Sequence, residues 1–572
     1  MSTDIRPLLT EAVAGLNRNA FAEAQIYLTR AITHQPNHPV ALFLMARVHE
    51  GRQDWTAAET CLRGAMAADP AQMMVRIHLS QALRAQGKAA EAVPLFAVLG
   101  ESAPWDAWQE LARAQEESGA GEAAEHSYRH VLERVPDVPA NERAALERAL
   151  AHLMRRQRRH EESLSHMERA RAADSGDRVI QTEHAAMLQQ LSRFDEAIAA
   201  YKDILAADPL DMESHFQLNE LLYRTRRDSE FLSSFDQAAE RAPHSALLPV
   251  TKGRWLLKAS RPGEALEAFS RAMAITPDDA AALSGLARAL EAMGEGPRAA
   301  AIHEKNTRLH PDDADVQLDY AGVLLRNGDP RGAQARAEQV LAMRPGDQPA
   351  LSLLTLIYRA QDDGREFTLN DYEHFIQSFD LEPPQGYADM KSFNAELAHY
   401  LDSLHGDARE YFTQSLRGGT RLFGEVFENG HRLADLLRVR IDEAVRRYAL
   451  SLRADASHPF TARRNKGFAY AGSWSSRLSD CGHHVNHIHP KGWISSAYYV
   501  ALPDVTADAD KKEGWIKFGE PSEEFGGAFS PRRFIQPVPG RLVLFPSYMW
   551  HGTVPFHSAQ NRMTIAFDAV PR

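Results

Sequence analysis

Cysteine is almost absent from this chain: its 572 residues include only Cys61 and Cys481, about 420 positions apart. Such a pair provides neither a disulfide framework nor a cysteine-based zinc site. Runs of about eighteen apolar residues are also missing, which excludes a membrane-spanning helix. Residues 1–6 lack a basic segment followed by an apolar stretch. We therefore expect no secretory signal and a cytoplasmic protein.

Positive charge is in deficit, with 65 Lys and Arg against 77 Asp and Glu and a formal net charge of −12. This balance argues against a general nucleic-acid binder, because neutralising phosphates needs a basic surface. The hydrophobic fraction of 44% and the charged fraction of 25% are those of an ordinary soluble protein. A chain of 572 residues is too long for one core and should divide into several domains.

Prolines recur with a period of 34 residues. The spacing holds for Pro36, Pro70 and Pro104, and it returns after an irregular middle from Pro209 to Pro345. Proline cannot continue a helix interior, so it marks the end of a helical unit. Upstream of each proline, small residues such as those in 262–269 allow two helices to pack closely. A helix-turn-helix unit of this length resembles the tetratricopeptide repeat.

The repeat resemblance implies an all-α superhelix of about ten units over residues 5–358. Stacked repeats leave a concave groove that binds peptides or proteins, so we expect the array to recruit a protein partner. A purely structural or dimerising superhelix is the alternative. The turn signals of 382–386 predict that residues 359–386 form a linker.

Helical spacing of apolar residues predicts helices over 387–405 and 432–453. Between them, Gly418 and Gly419 are flanked by Arg and Thr. A plain turn is the simpler interpretation of this segment, and a lining for an anion pocket is the alternative.

Histidines crowd the C-terminal region, at His483, His484, His487, His489 and His551. If 483–489 is extended, its odd positions share a face, so His483, His487 and His489 point together and His484 points away. His551, on a distant strand, could complete a metal site. Neutral imidazole is the commonest metal ligand in proteins.

Further segments of residues 380–572 accompany these histidines. They are Gly472-Ser473-Trp474, Asn486-His487-Ile488-His489-Pro490, the strand-like 492–500, Phe545-Pro546-Ser547 and Arg562. Together they resemble bacterial 2-oxoglutarate- and iron(II)-dependent oxygenases, which often carry N-terminal tetratricopeptide repeats. The resemblance implies a double-stranded β-helix (jelly-roll) domain with flanking helices over residues 387–572.

The same resemblance implies that His487 and His551 are ligands of Fe(II). It also implies that Arg562 pairs bidentately with the distal carboxylate of the co-substrate 2-oxoglutarate. Thr564, two residues further along the same strand face, would add a hydroxyl to that carboxylate. Tyr498 and Tyr499 face opposite ways, so one packs in the core and the other can reach the co-substrate. We take Tyr499 as the candidate.

One position departs from the superfamily pattern. An Asp or Glu usually stands two residues after the first histidine, and this chain has His489 there. We predict that His489 is the third metal ligand, with Asp480 as the nearest alternative carboxylate by sequence. Three neutral imidazoles bind iron but also suit zinc, copper or nickel.

These observations predict a 2-oxoglutarate-dependent dioxygenase that uses Fe(II) and O2 and binds neither nucleic acid nor a membrane. Its substrate would be a protein or peptide recruited by the repeats. A non-catalytic repeat scaffold with a metal-binding β-domain is one alternative, and a small-metabolite hydroxylase is another. Arg562 separates the enzyme from the scaffold, because a non-catalytic barrel does not need an anchor for a co-substrate carboxylate.

Overall fold

The computed structural model describes residues 4–100, 103–134, 138–406, 412–422, 426–428, 430–464 and 467–572. By their internal contacts the residues divide into two compact units, Met1–Met187 and Leu188–Arg572. The division lies inside the helical region, so the second unit contains both repeat helices and the C-terminal sheets.

Paired helices make up the first unit. They are α1 (Arg6–Asn17), α2 (Phe21–His34), α3 (Pro39–Gly51), α4 (Trp55–Ala68), α5 (Met73–Ala85), α6 (Ala89–Ala92), α7 (Trp105–Glu117), α8 (Gly121–Arg134), α9 (Ala140–Arg156), α10 (His160–Ala173) and the larger part of α11 (Arg178–Gln190). Small residues bring partner helices close: a Cβ at Gly15 would lie 3.2 Å from the Cβ of Ala24. Ala24 and Ala58 are fully buried.

The second unit continues the helical pairs and adds the flanking helices of the C-terminal domain. Its helices are α12 (Phe194–Ala207), α13 (Met212–Arg224), α14 (Ser233–Arg241), α15 (Leu247–Lys258), α16 (Pro262–Ile275), α17 (Ala280–Ala292), α18 (Gly296–Leu309), α19 (Ala314–Arg326), α20 (Pro330–Met343), α21 (Gln348–Ala360), α22 (Arg365–Leu369), α23 (Met390–Leu404) and α24 (Arg432–Ser451).

Aspartates two residues after the periodic prolines explain where several repeat helices begin. Asp279 accepts a hydrogen bond from the backbone N–H of Ala282, and Asp347 accepts one from Ala350. Each carboxylate therefore satisfies an N–H that the first helical turn leaves unpaired. Within each such period, the proline therefore marks the end of one unit, and the aspartate two residues later caps the first helix of the next unit.

Two antiparallel sheets form the C-terminal domain. The strands are β1 (Gln377–Asp380), β2 (Leu416–Arg421), β3 (Phe468–His484), β4 (Ile494–Ala501), β5 (Ile516–Phe518), β6 (Arg533–Ile535), β7 (Arg541–Pro546), β8 (His551–Thr553) and β9 (Arg562–Pro571). One sheet has the order β1-β7-β4-β9-β3-β2, and the other has the order β6-β5-β8. The predicted fold class, a helical repeat array followed by a jelly-roll domain with flanking helices, is confirmed.

Residues 359–386 differ from the predicted linker. They contain α22 and β1, and β1 is an edge strand of the larger sheet, with Ser378 opposite Val543. An ion pair of 2.7 Å between Arg541 and Asp380 ties this edge down. The prolines that suggested a linker lie just after β1 and end the strand rather than separating two domains.

The Gly418–Gly419 segment is also not a plain turn. It lies within β2, where Gly418 has a φ of +64° and a Cβ at Gly419 would come within 2.3 Å of the Arg477 carbonyl oxygen. Glycine is needed here because β2 and β3 approach too closely for a side chain.

One hydrophobic core joins the last repeat helices to the sheets. It runs from Ala321 and Leu353 through Leu397 to Tyr498 and Ile565. No helix among the described residues is both long and apolar enough to cross a membrane.

Candidate metal centre

Three histidine side chains meet beside the larger sheet. Each of His487, His489 and His551 offers a ring nitrogen within 4.8 Å of those of the other two. The ring centroids of His487 and His551 are 4.3 Å apart, and each lies 5.1 Å from that of His489. The Nε2 atoms of His487 and His489 are separated by 3.1 Å.

Backbone hydrogen bonds position these residues. The N–H of His487 donates to the carbonyl of His551 over 2.9 Å, and the reverse bond is 3.1 Å. Residues paired in this way project their side chains to the same side. The N–H of His489 donates to Ser547 over 2.9 Å, so the loop that carries two histidines is held against the β7–β8 connection.

The hydrogen bonds of the Nδ1 atoms select one tautomer. Nδ1 of His487 lies 2.8 Å from the carbonyl oxygen of Val485, and that of His551 lies 3.0 Å from the oxygen of Met549. Nδ1 of His489 lies 2.6 Å from Oδ1 of Asp568. All three acceptors require a proton on Nδ1, so in the neutral form of each ring the lone pair is on Nε2.

This arrangement fits a divalent metal ion. The Nε2 atoms of His487 and His489 lie 3.1 Å apart, and a metal ion bound by both would remove the repulsion between their lone pairs. Burial lowers the pKa of His487 to about 3 and holds the pKa of His551 well below its ordinary value. Both rings are therefore neutral at pH 7 and available as ligands.

Arg562 lies in the same cavity as the histidines, which has a volume of about 790 Å³. Its side chain is only 2% exposed, and its Nε donates to the Gly514 carbonyl over 3.0 Å. Among the described residues no carboxylate forms an ion pair with it. Thr564, two residues along β9, also lines the cavity.

The two tyrosines of β4 point in different directions. Tyr498 donates to Oδ1 of Asn394 on α23 over 2.6 Å and packs in the core. The ring of Tyr499 lies 5.2 Å from the guanidinium carbon of Arg562. Burial raises the pKa of the Tyr499 hydroxyl to about 12, so this side chain is neutral beside the cation.

The predicted orientations of His483 and His484 are wrong. Nδ1 of His483 lies 3.1 Å from the carbonyl oxygen of Cys481, away from the cluster. His484 lines the cavity, and its ring centroid is 6.1 Å from that of His487. Alternation fails because β3 ends at His484, so 483–489 is not one extended strand.

Asp480, the alternative carboxylate, lies elsewhere. It forms an exposed group with Cys481 and His557. The carboxylate that reaches the histidine cluster belongs to Asp568, which also accepts a hydrogen bond of 2.6 Å from the Ser495 hydroxyl. Its signal was present in the sequence, because Arg562, Thr564 and Asp568 share one face of β9 at a period of two.

Sequence reasoning also missed several residues that line the cavity. Trp474 lies in a segment of the family pattern but had no assigned role, and its ring centroid is 5.6 Å from that of His489. Lys258 comes from α15 in the repeat array. No local pattern could connect Lys258 to residues more than two hundred positions away.

Comparison with known families identifies both parts of the chain. Residues 472–568 match the family model described as "Putative 2OG-Fe(II) oxygenase". Tetratricopeptide-repeat models match residues 43–104, 184–246 and 256–318. Both resemblances drawn from the sequence are confirmed: the chain contains tetratricopeptide repeats and a C-terminal domain of this oxygenase type. A search of curated proteins found no match.

Solved structures resemble parts of the chain weakly. Yeast Tom70 is 14% identical, with a TM-score of 0.30, over 64% of this chain and 97% of that chain. A tetratricopeptide repeat protein from Parabacteroides merdae is 20% identical, with a TM-score of 0.26, over 44% of this chain and 98% of that chain. Neither similarity carries an argument about function.

Proposed function

We propose that this chain is a 2-oxoglutarate- and Fe(II)-dependent dioxygenase that hydroxylates a protein or peptide recruited by its repeats, and that it acts in the cytoplasm. One observation carries the proposal. A single cavity contains three imidazoles with convergent Nε2 atoms and a buried guanidinium that has no carboxylate partner among the described residues.

The metal would be held by His487, His489 and His551. When bound, Fe(II) supplies the oxidising chemistry that couples decarboxylation of 2-oxoglutarate to hydroxylation of a C–H bond. The protein orients the ligands through the acceptors at each Nδ1. Three imidazoles bring no negative charge to the metal, and Asp568 compensates in part by accepting the Nδ1 proton of His489.

Arg562 would bind the distal carboxylate of 2-oxoglutarate. A buried cation that no carboxylate neutralises is costly by several kcal/mol, so a site that keeps one favours an anionic ligand. The planar guanidinium can donate two parallel hydrogen bonds to a carboxylate. The hydroxyl of Thr564, which also lines the cavity, would add a third, and Tyr499 packs against the guanidinium and limits its movement.

This arrangement favours the enzyme over a metal-binding scaffold, which would not need a buried arginine that has no carboxylate partner among the described residues. The test combines metal analysis of the purified chain with 2-oxoglutarate turnover in the presence and absence of added Fe(II). We expect turnover only with Fe(II).

Arg562→Lys sharpens the test. Lysine keeps the charge but cannot copy the bidentate geometry, and a charge-assisted hydrogen bond contributes roughly 1.5–3 kcal/mol. We expect the apparent 2-oxoglutarate constant to rise about tenfold or more, with metal content unchanged. Arg541→Lys, in a strand-edge ion pair outside the cavity, is the matched control and should leave the constant alone. If Arg562→Lys leaves both the apparent 2-oxoglutarate constant and the turnover unchanged, 2-oxoglutarate is rejected as the co-substrate.

A further inference from the structure

The cavity of the metal centre is basic although the chain as a whole is acidic. Besides Arg562, the cationic side chains that line it are Lys258, Arg417, Arg421 and Lys491. Asp568 is the one carboxylate among the described lining residues, and His489 and Ser495 already engage it. With a net charge of −12 for the chain, this local excess of positive charge does not follow from composition. It creates a field that attracts anions.

Repeat helices hold one wall of this cavity in place. Phe412 inserts into an aromatic pocket, with ring centroids 4.8 Å from Tyr223, 5.4 Å from Phe231 and 5.3 Å from Trp255. Glu220, only 1% exposed, accepts hydrogen bonds from the Phe412 N–H and, over 2.9 Å, from the Thr413 hydroxyl. Helices α13 to α15 therefore fix the segment that leads into β2.

The same contacts bring charge from the repeats to the cavity. Nζ of Lys258, at the end of α15, donates to the Thr413 carbonyl over 2.6 Å. Arg417 donates to the carbonyls of Gln414 and Leu416, both over 2.8 Å. These acceptors are neutral, so the hydrogen bonds themselves do not cancel the two charges, and the one carboxylate among the described residues that acts on Lys258 is the buried Glu220.

Arg421 approaches the histidines through Trp474. Its guanidinium carbon is 4.3 Å from the ring centroid of Trp474, and that ring faces His489 at 5.6 Å. Cation–π stacking keeps the guanidinium against the indole. A substrate anion paired with Arg421 would consequently lie near the metal centre.

We propose that the substrate is an acidic peptide segment that binds across this basic wall, with its carboxylates paired to Lys258, Arg417, Arg421 and Lys491. The inference rests on the proposed function and names its substrate class. The cations come from three separate segments: a repeat helix, an edge strand and the turn after His489. An extended ligand with several carboxylates suits this distribution. The cavity also has more room than a small dicarboxylate fills.

Fluorescence anisotropy on the full-length chain tests the proposal. The probes are a labelled peptide of alternating Glu and Gly and a matched peptide of Gln and Gly. We expect the acidic peptide to bind and the neutral peptide not to bind, with weaker binding as salt is raised. Arg417→Gln and Lys491→Gln should each weaken binding about three- to tenfold. Arg254→Gln removes an exposed cation of α15 that does not line the cavity, and it should leave the affinity for the acidic peptide unchanged.

Three results would overturn the inference. They are equal binding of the two peptides, displacement of the acidic peptide by stoichiometric succinate, and tighter binding of a single-stranded oligonucleotide that both cavity variants abolish. Loss of peptide binding with normal 2-oxoglutarate turnover rejects the substrate class alone. Peptide binding that persists while Arg562→Lys has no effect on the 2-oxoglutarate constant rejects the proposed function instead.

Discussion

Asp568 supplies a carboxylate that contacts the proposed metal ligand His489 on the side of its ring opposite Nε2. We propose His489 as a metal ligand in place of the usual acidic residue, and its Nδ1 lies 2.6 Å from Oδ1 of Asp568. A carboxylate behind an imidazole fixes the orientation of the ring and makes its Nε2 more basic. At the scale of single residues, the three neutral histidines bring no negative charge, and the carboxylate of Asp568 provides one next to His489.

Asp568→Asn tests this role. Asparagine keeps the shape and an oxygen acceptor but removes the negative charge. We expect metal affinity to fall about 10–100-fold, the range typical of residues that orient metal ligands. Competition with a chelator measures the affinity. Asp480→Asn, in the exposed group near Cys481, is the control. If the control weakens metal binding and Asp568→Asn does not, the assignment of the carboxylate is wrong.

His405 should make stability depend on pH. Its imidazole bonds to the hydroxyls of Thr420 and Ser475 over 2.9 and 3.1 Å. Burial lowers its pKa to about 4, with Arg477 adding to this effect and Asp402 opposing it. Above pH 6.5 neither the folded nor the unfolded state is protonated here. Between pH 6.5 and about 4 only the unfolded state gains a proton, so folding loses up to about 3 kcal/mol.

His405→Gln removes this titration along with the native hydrogen bonds. We expect the variant to melt below the wild type at pH 7 and the difference in Tm to shrink at pH 5. Thermal unfolding at both pH values provides the measurement. His374→Gln, at an exposed histidine, should show no such change. A difference in Tm that is the same at both pH values would contradict the predicted titration.

At the scale of elements, α13 to α15 act as a support for the edge of the sheet. Phe412 is only 9% exposed and stacks on Trp255 with an angle of 6° between the rings. Removing a buried aromatic ring costs roughly 3–5 kcal/mol, because its contacts are lost and a cavity remains. The segment held in this way continues into Ser415, whose hydroxyl lies 3.2 Å from Nδ1 of His484.

Phe412→Ala should therefore lower Tm by several degrees and weaken binding of the acidic peptide, since the basic wall loses its anchor. The matched control is Phe367→Ala, which removes a phenylalanine that is 55% exposed. Equal Tm shifts in the two variants, measured by thermal unfolding, would show that the aromatic pocket does not hold the segment.

For the whole molecule, the repeats after residue 188 and the sheets form one compact unit. Their shared core extends from Ala321 to Ala569. Arg359, at the end of α21, donates to the carbonyls of Gly519 and Ser530 over 2.9 and 2.7 Å. All described residues that line the cavity belong to this unit.

Two truncations test this organisation. A chain that begins at Arg178 retains α11 and the whole second unit, so we expect it to keep metal binding and 2-oxoglutarate turnover. A chain that begins at Gln361 loses α21, Lys258 and the aromatic pocket, and it should be unstable. Metal analysis and thermal unfolding of both chains provide the readout. A stable, active product from the second truncation would favour an independent domain after residue 358.

Local regularities in the sequence were sufficient to predict the repeats and the order of the main site residues. The 34-residue period is visible in the spacing of prolines and capping aspartates. Each of these residues affects backbone groups only a few positions away from it. The pair His487 and His489, the later His551 and Arg562 also follow from short patterns and from the family resemblance.

Tertiary structure decided what these patterns left open. It turned Tyr499 toward Arg562, brought Asp568 behind His489 and placed His484, the last residue of β3, in the cavity. It also brought Lys258 to the site from the repeats. Each of these placements depends on strand pairing, a local break in alternation or helix packing between distant segments. Periodicity along the chain carries no information about such contacts, because they are selected by burial and hydrogen bonding in the folded molecule.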